Sequence, residues 1–311
     1  MRNNFNLISL FSVFCLLISN SRAAEKADVP SVQTGTPRKV LVGDYSKKKI
    51  AIVDENDKVV WEQPIATLHD AQMLKNGNVL FQTSFQHLVE MTSQGETVWK
   101  YDASKMNGNQ GKKVEVHAFQ RLENGHTMIA ESGTSRIIEV DQAGKIQHEI
   151  KLQVSRTDPH RDTRLVRKLE NGNYLVCHEL DQTVREYDGT GKVVWQYEAK
   201  SKVYSAQRLA NGHTLIGAGD GHRVLEVDAE GKTVWSVEQN DLPGISLAWV
   251  TMVSRLPNGN TLIVNCHAGP KNPQMLEVTS DKKVVWTFLD FTRFGNSLPV
   301  GLILDTPAVQ N

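Results

Sequence analysis

The dipeptide Asn-Gly occurs five times in the same local setting along this chain of 311 residues. In each copy a leucine precedes the asparagine by two positions, and an apolar residue follows the glycine by three. The asparagines are Asn76, Asn124, Asn171, Asn211 and Asn258, so the copies lie 40 to 48 residues apart. A period of this length is typical of repeat proteins, in which every repeat is one supersecondary unit that stacks on its neighbours.

Each repeat contains four short segments with the alternating and β-branched residues of strands. In the unit around Asn211 these segments are 203–209, 214–218, 223–228 and 232–237. Asn211-Gly212 joins the first two, and we predict a type I′ turn there, because both central positions of that turn need a positive φ. Ala229-Glu230-Gly231 joins the last two.

A large ring marks the fourth segment of every unit. The pattern Gly-x-x-x-Trp places it at the same point of successive repeats, which indicates packing between neighbouring sheets. The positions are Trp61, Trp99, His148, Trp195, Trp235 and Trp286. Six such positions predict six four-stranded units, and four-stranded units arranged radially form a β-propeller.

The first and last units complete each other in this interpretation. The unit that starts at Arg38 lacks a first strand, whereas residues 298–305 resemble a first strand with nothing after it. Pairing the two would close the ring and leave no open edge. We therefore predict an all-β, six-bladed β-propeller over 38–311, with the first blade completed by the C-terminal strand.

The N-terminal residues have the features of a secretory signal peptide. Arg2 supplies a positive charge, residues 7–19 are apolar, and Ser21-Arg22-Ala23 is a small-x-small cleavage site. We predict a signal peptide over 1–23, a flexible linker over 24–37, and export to the periplasm or the extracellular space. No other stretch reaches the ~20 apolar residues that span a bilayer.

Composition excludes some partners. Lys plus Arg and Asp plus Glu both total 35, so there is no net charge to attract nucleic acid. Only Cys177 and Cys266 follow the signal peptide, in non-adjacent repeats, and we expect no disulfide. We expect a monomer without a cofactor that binds a small molecule or a protein.

Chemically versatile residues fall on the face opposite the Asn-Gly turns, where the repeats differ most. Seven residues before each asparagine, at the start of the inner strand, are His69, His117, Arg164, Tyr204 and Thr251. Near the end of the second strand are Glu131, His178, Glu179, Asp220 and His267. Variable loops on a rigid scaffold commonly carry function, and these residues are our candidate site.

Three interpretations of this set are open. Histidine with arginine could bind or transfer an oxyanion. Histidine with carboxylate could bind a divalent metal, but no short metal-ligand spacing such as H-E-x-x-H is present, and we predict no metal. The third interpretation is a polar channel lining without chemistry.

The segment that runs from His69 to Leu80 (HDAQMLKNGNVL) resembles the repeat of arylsulfate-sulfotransferase-type propellers. The Gly-Lys-x-x-Trp outer strands resemble the repeats of pyrroloquinoline-quinone-type propellers. The first resemblance implies sulfuryl transfer through a central histidine, assisted by further histidines and an arginine. His69 and His117 match that histidine by motif, whereas Arg164, Tyr204 and Thr251 replace it in the next units. The second family forms larger, eight-bladed rings, and we predict no quinone.

Two hypotheses follow. The first is an exported propeller that binds a ligand or protein partner at the channel-mouth face, through Glu131, His178, Glu179, Tyr204, Asp220 and His267. The alternative is an arylsulfotransferase-like enzyme that binds or transfers an oxyanion with His69, His117 and Arg164. The sequence leaves it undecided whether the protein is an enzyme.

Overall fold

In the computed structural model of the chain, the described part comprises Met1 and residues 32–305. The signal peptide predicted over 1–23 and most of the predicted linker lie outside it. All regular elements of the described part are strands. In chain order they are β1 (Gln33–Thr34), β2 (Val40–Asp44), β3 (Lys49–Val53), β4 (Val59–Pro64), β5 (Ala71–Met73), β6 (Val79–Gln82), β7 (His87–Met91), β8 (Thr97–Asp102), β9 (Glu115–Arg121), β10 (Thr127–Ser132), β11 (Arg136–Val140), β12 (Ile146–Lys151), β13 (Val166–Lys168), β14 (Tyr174–His178), β15 (Thr183–Tyr187), β16 (Val193–Glu198), β17 (Ser205–Arg208), β18 (Thr214–Gly217), β19 (Val224–Val227), β20 (Thr233–Val237), β21 (Trp249–Arg255), β22 (Thr261–Cys266), β23 (Met275–Val278), β24 (Val284–Phe288) and β25 (Val300–Ile303).

These strands form six antiparallel sheets, which are the six blades of a β-propeller, as the repeat predicts. We letter the strands of each blade a to d from the channel outwards. Blades 2 to 6 take their strands consecutively, from β5 to β24. Blade 1 combines β25 with β2, β3 and β4, and Val40 pairs with Ile303 and Val42 with Gly301. The predicted completion of the first blade by the C-terminal strand is confirmed.

The outer edge of blade 6 carries a fifth strand. Gln33 and Thr34, which the sequence assigns to the flexible linker 24–37, form β1 and pair antiparallel with Phe288 and Thr287. The Gln33 side chain also accepts a hydrogen bond from Trp286 Nε1 at 2.8 Å. The last part of the predicted linker is therefore fixed to the propeller.

The Asn-Gly turns differ from the predicted type I′. Gly77 N donates to Leu74 O at 2.9 Å and Leu74 N donates to Asn78 O at 2.8 Å, so the loop has three residues. Gly77 has a φ of 84°, whereas Asn76 is not among the described residues with positive φ. This is a type I turn followed by a glycine bulge. The prediction was wrong because asparagine acts here through its side chain, whose Oδ1 accepts from Asn78 N at 3.0 Å.

Neighbouring blades are joined by a repeated set of polar contacts. The Arg121 guanidinium, on strand a of blade 3, lies 4.8 Å from the ring centre of Trp99 in blade 2 and pairs with Glu90 at 2.8 Å. Trp99 Nε1 donates to Gln142 O of blade 3 at 3.1 Å. The equivalent ion pairs are Glu139–Lys168, Glu186–Arg208, Glu226–Arg255 and Glu277–Arg38. The last of these joins blade 6 to blade 1.

The core lies between the blades, where apolar residues from facing sheets are buried. Polar side chains of the inner strands of blades 2 to 6 line the central channel, among them Gln72, Gln120, Arg167, Gln207 and Ser254. No helix in the described part could cross a membrane. Cys177 and Cys266 are buried free thiols.

Candidate functional site

The starts of the inner strands bring a set of buried polar side chains together at one mouth of the channel. His69 precedes β5, His117 lies on β9, Arg164 precedes β13 and Tyr204 precedes β17. Each is less than a tenth exposed. The repeat places these residues at equivalent positions in four consecutive blades, so residues far apart in sequence meet at the axis. We call His69, Phe85, Glu115, His117, His160, Arg164, Glu179 and Tyr204 the central cluster.

The hydrogen bonds of His69 define which ring nitrogen carries the proton. His69 Nδ1 is 2.7 Å from the Tyr204 hydroxyl, which is also 3.3 Å from the His69 backbone carbonyl. The Arg164 guanidinium can only donate and lies 3.5 Å from Nε2, which favours the tautomer in which Nδ1–H donates to the tyrosine oxygen. The lone pair of His69 is then on Nε2. That atom lies 3.5 Å from Arg164 Nη1, inside the cluster.

Arg164 links the two histidines that the repeat aligns. Its Nη1 lies 3.5 Å from His69 Nε2 and 3.4 Å from His117 Nδ1. On its other side Nε donates to the Glu179 carboxylate, and the arginine side chain is only 5% exposed. Glu179 therefore holds the guanidinium in place and balances its charge.

One carboxylate oxygen connects His117 to a third imidazole, that of His160. Glu115 Oε2 lies 2.9 Å from His117 Nε2 and 2.8 Å from His160 Nδ1. His117 Nδ1 is in turn 2.8 Å from the Thr163 carbonyl, so this ring faces an acceptor at both nitrogens. His160 is the exposed member of the set, with 46% of its side chain accessible.

Burial controls the protonation of the cluster. It lowers the pKa of His69 well below 6.5, an effect to which His117 and Arg164 add. It lowers the pKa of His117 to about 4, although the hydrogen bond to Glu115 opposes the change. Burial alone would raise the pKa of Glu115, but hydrogen bonds from His117 and His160 outweigh it and bring that pKa to about 2. Burial thus disfavours the charged form of both imidazoles, whereas the hydrogen bonds that Glu115 accepts favour its ionised form.

Phe85 forms an apolar wall beside the three imidazoles. Its ring stacks on His69 with centres 5.2 Å apart and an interplanar angle of 8°. Its contacts with His117 and His160 are edge-on, at 5.6 and 5.5 Å. The cluster thus offers an aromatic surface next to a guanidinium and three imidazoles.

The same imidazoles could hold a metal ion. His69, His117 and His160 each offer one nitrogen, and these three atoms lie within 4.8 Å of one another. Hydrogen bonds to Tyr204 and Glu115 orient the rings, as partners of metal-binding histidines usually do. The sequence indicated no metal because the three residues come from separate segments and have no local spacing. The Arg164 guanidinium opposes a cation at this place.

The remaining predicted site residues have other partners. Glu179 and Tyr204 belong to the central cluster, but no hydrogen bond or ring contact within residues 32–305 joins the other four to it. Glu131 pairs with Arg136 at 2.7 Å, His178 lies 2.9 Å from the Tyr187 hydroxyl, Asp220 accepts from Lys202 N at 2.8 Å, and His267 Nε2 lies 3.3 Å from the Tyr45 hydroxyl.

Three members of the cluster were not among the predicted site residues. Phe85 comes from the loop between β6 and β7, and His160 from the long connection between β12 and β13. Glu115 lies two residues before His117, a spacing that puts both side chains on one face of a strand. That spacing was the only available signal, because none of the three recurs in the repeat.

Comparison with known proteins confirms the resemblance to two propeller families. The family described as arylsulfotransferase matches residues 85–186, and the family described as outer membrane protein assembly factor BamB matches residues 154–270. The first match includes every member of the central cluster except His69 and Tyr204. No curated protein matches the chain.

Solved structures with the same architecture include a protein of unknown function from Bacteroides caccae. It is 27% identical, with a TM-score of 0.75, over 85% of this chain and 98% of that one. A virginiamycin B lyase from Staphylococcus aureus is 10% identical, with a TM-score of 0.58, over 84% and 89% of the two chains. The WD40 propeller domain of Doa1 is 16% identical, with a TM-score of 0.54, over 83% and 77%. The last two are similar in fold alone.

Proposed function

We propose that this propeller binds the oxyanion of a sulfate ester at the central cluster and transfers its sulfuryl group. The observation that carries the proposal is the position of Arg164 Nη1, within 3.5 Å of ring nitrogens of both His69 and His117. A guanidinium is well suited to oxyanions, and imidazole can act as a nucleophile. The arylsulfotransferase match over residues 85–186 supports the assignment.

The charge of the cluster sets a condition on anion binding. Glu179 balances Arg164, and Glu115 adds a negative charge beside two imidazoles whose charged forms burial disfavours. An oxyanion therefore binds with uptake of a proton, which converts an imidazole to imidazolium. His117 is suited to this because both its nitrogens face acceptors. Affinity for sulfate should rise as the pH falls from 8 to 6.

His69 is the nucleophile in this proposal, because Tyr204 leaves the lone pair on Nε2. A bond forms between Nε2 and sulfur while the bond from sulfur to the aryl oxygen breaks, and a phenolate leaves. A second phenol then attacks the sulfur and regenerates His69. Its hydroxyl proton passes to the exposed His160, which Glu115 holds at 2.8 Å. Phe85 gives the aryl group an apolar surface.

The test is turnover of 4-nitrophenyl sulfate with phenol as the acceptor, followed by nitrophenolate release. We expect activity in the full chain and a loss of about 100-fold or more in His69→Ala. The control is His126→Ala, which removes a histidine of an a–b turn. Lack of turnover and of sulfate binding between pH 6 and 8 would overturn the proposal, as would equal effects of the two substitutions.

A second candidate function is binding of a divalent transition metal, favoured by the three converging imidazoles. Oxyanion binding takes up a proton, whereas zinc binding to imidazoles that burial keeps uncharged takes up none, so only sulfate affinity should rise from pH 8 to pH 6. Calorimetry with zinc chloride and with sodium sulfate at pH 6 and 8 separates them. Arg164→Gln should abolish sulfate binding but strengthen zinc binding, since it removes the competing cation.

Export is also part of the proposal. The signal-peptide features of residues 1–23 support it, as does the match to a family described as an outer membrane protein assembly factor. N-terminal sequencing of the mature protein tests it, with a first residue at or near Ala24 expected. A mature protein that retained Met1 and residues 2–23 would count against it.

A further inference from the structure

The other end of the channel contains a separate cavity of about 190 Å³. All six inner strands line it, including Gln72 of β5, Gln120 of β9, Gln207 of β17 and Ser254 of β21. Each of these residues lies three positions after the residue at the start of its inner strand, as Gln72 lies three positions after His69. At about 3.3 Å per residue the cavity lies roughly 10 Å along the axis from the central cluster.

An ion pair separates the two sites. Arg167 donates from both terminal nitrogens to Asp70, each at 2.8 Å, across the channel from blade 4 to blade 2. Asp70 is fully buried and Arg167 is one-fifth exposed. Asp70 is therefore engaged by Arg167, which also lines the cavity.

Three carboxamides form a ring of hydrogen-bond donors in the wall. Each Oε1 accepts from a backbone N–H of the next blade: Gln72 from Arg121 at 3.0 Å, Gln120 from Lys168 at 2.8 Å, and Gln207 from Arg255 at 2.7 Å. Since an N–H must face an oxygen, these bonds fix the orientation of each amide. No partner within residues 32–305 accepts from the three Nε2 groups.

Arg121, Ser205 and Ser254 also line the cavity, and most of the remaining wall is apolar. Its apolar side chains include Met73, Leu165, Met252, Leu256 and Leu302. Sites for small molecules combine such walls with a few fixed polar groups, and this volume is below the ~300 Å³ at which drug-sized sites begin.

We infer that this cavity is a second binding site, which takes a small monocarboxylate with a short apolar body. The carboxylate oxygens accept from the carboxamide nitrogens of Gln72, Gln120 and Gln207 and from the edge of Arg167. The chain or ring of the ligand packs against the methionines and leucines. Acids of the size of hexanoate or benzoate suit the volume.

Titration calorimetry of the full chain with hexanoate at pH 7 tests this inference. The informative variant is Gln120→Glu, because a glutamate oxygen can still accept from Lys168 N while the donor becomes a repelling carboxylate. We expect at least a tenfold loss of hexanoate affinity. Gln94→Glu, which makes the same change in an exposed turn, is the control and should bind hexanoate as the unmodified chain does.

Two comparisons complete the test. Hexanol and hexylamine should bind at least tenfold more weakly than hexanoate, since neither offers an anionic acceptor. Turnover of 4-nitrophenyl sulfate should be the same in Gln120→Glu as in the unmodified chain, which keeps this inference independent of the proposed function. No hexanoate binding, equal binding of hexanol, or equal losses in the two variants would overturn it.

Discussion

At the scale of single residues, two buried histidines at different positions of the repeat have different partners. His178 lies 2.7 Å from the Asp162 carbonyl and 2.9 Å from the Tyr187 hydroxyl, so both its nitrogens are engaged in the interior of the protein. His69 has one nitrogen engaged by Tyr204 and the other directed at Arg164. Both histidines were predicted as site residues. It could not separate them, because the difference depends on partners from other blades.

Buried neutral histidines predict a stability that falls in acid. Burial lowers the pKa of His178 to about 4, below the 6.5 of the unfolded chain. The unfolded chain therefore binds the extra proton first, and stability is lost as the pH falls from about 6.5 to about 4. The contribution of His178 is at most about 3 kcal/mol. We expect the unfolding free energy of His178→Gln, measured in urea, to depend less on pH. The difference in slope should correspond to about one fewer proton taken up on unfolding.

The quantity to compare is the slope of the unfolding free energy against pH, because His178→Gln also changes packing, and with it stability, at every pH. His69 and His117 add to the slope of the unmodified chain in the same direction. An unchanged slope between pH 6.5 and 4 in His178→Gln would contradict the prediction.

At the scale of elements, the a–b turns and the c–d turns have the same three-residue form. Gly212 N donates to Leu209 O at 2.9 Å, and Gly231 N donates to Asp228 O at 3.1 Å. Asp57 and Lys282 hold positive φ where blades 1 and 6 lack glycine. One residue of each turn needs the left-handed conformation, which explains the repeated glycine.

Two glycines in turns should respond oppositely to alanine. Gly212 has a φ of 85°, in the left-handed region, whereas the φ of Gly189 lies outside that region. A Cβ added at either glycine would meet no atom within 4 Å. Gly212→Ala should cost about 1 kcal/mol because only the backbone is strained. Gly189→Ala should be neutral or stabilise by up to about 1 kcal/mol. Chemical denaturation measures both, and equal effects would show that backbone conformation is not the cause.

The repeat predicts the fold closely but the site incompletely, for a physical reason. Ring positions recur in all six blades and turn glycines in most, so the blade number and the meeting of His69, His117 and Arg164 follow from spacing. Phe85 and His160 belong to loops whose residues do not recur in other blades. Their place in the cluster depends on loop conformation, for which a single sequence carries no periodic signal.

At the scale of the whole molecule, the joint in blade 1 holds the ring together. β25 supplies the inner strand of that blade, and Leu298, Val300 and Ile303 in and before it are buried. Glu277 and Arg38, paired at 2.5 Å, join blade 6 to this blade. Residues from the two ends of the described chain thus share one sheet.

Deleting residues 296–311 should unfold or oligomerise the protein. The loss of three buried apolar side chains alone amounts to about 5 kcal/mol or more, and the edge of β2 becomes unpaired. Thermal melting and size-exclusion chromatography measure the outcome. A chain that ends at Asp305 keeps β25 and is the control. A monomer with unchanged melting after the longer deletion would contradict the role given to β25.

The joint also imposes an order on biosynthesis. The ribosome makes β2 near the start of the propeller and β25 after the other blades, so a nascent chain carries an incomplete sheet until β25 has been made. Two chains that reach this stage side by side can each accept the other's last strand, and the product is a domain-swapped dimer. Slow translation or crowded polysomes would favour that exchange, whereas dilution would favour closure within one chain.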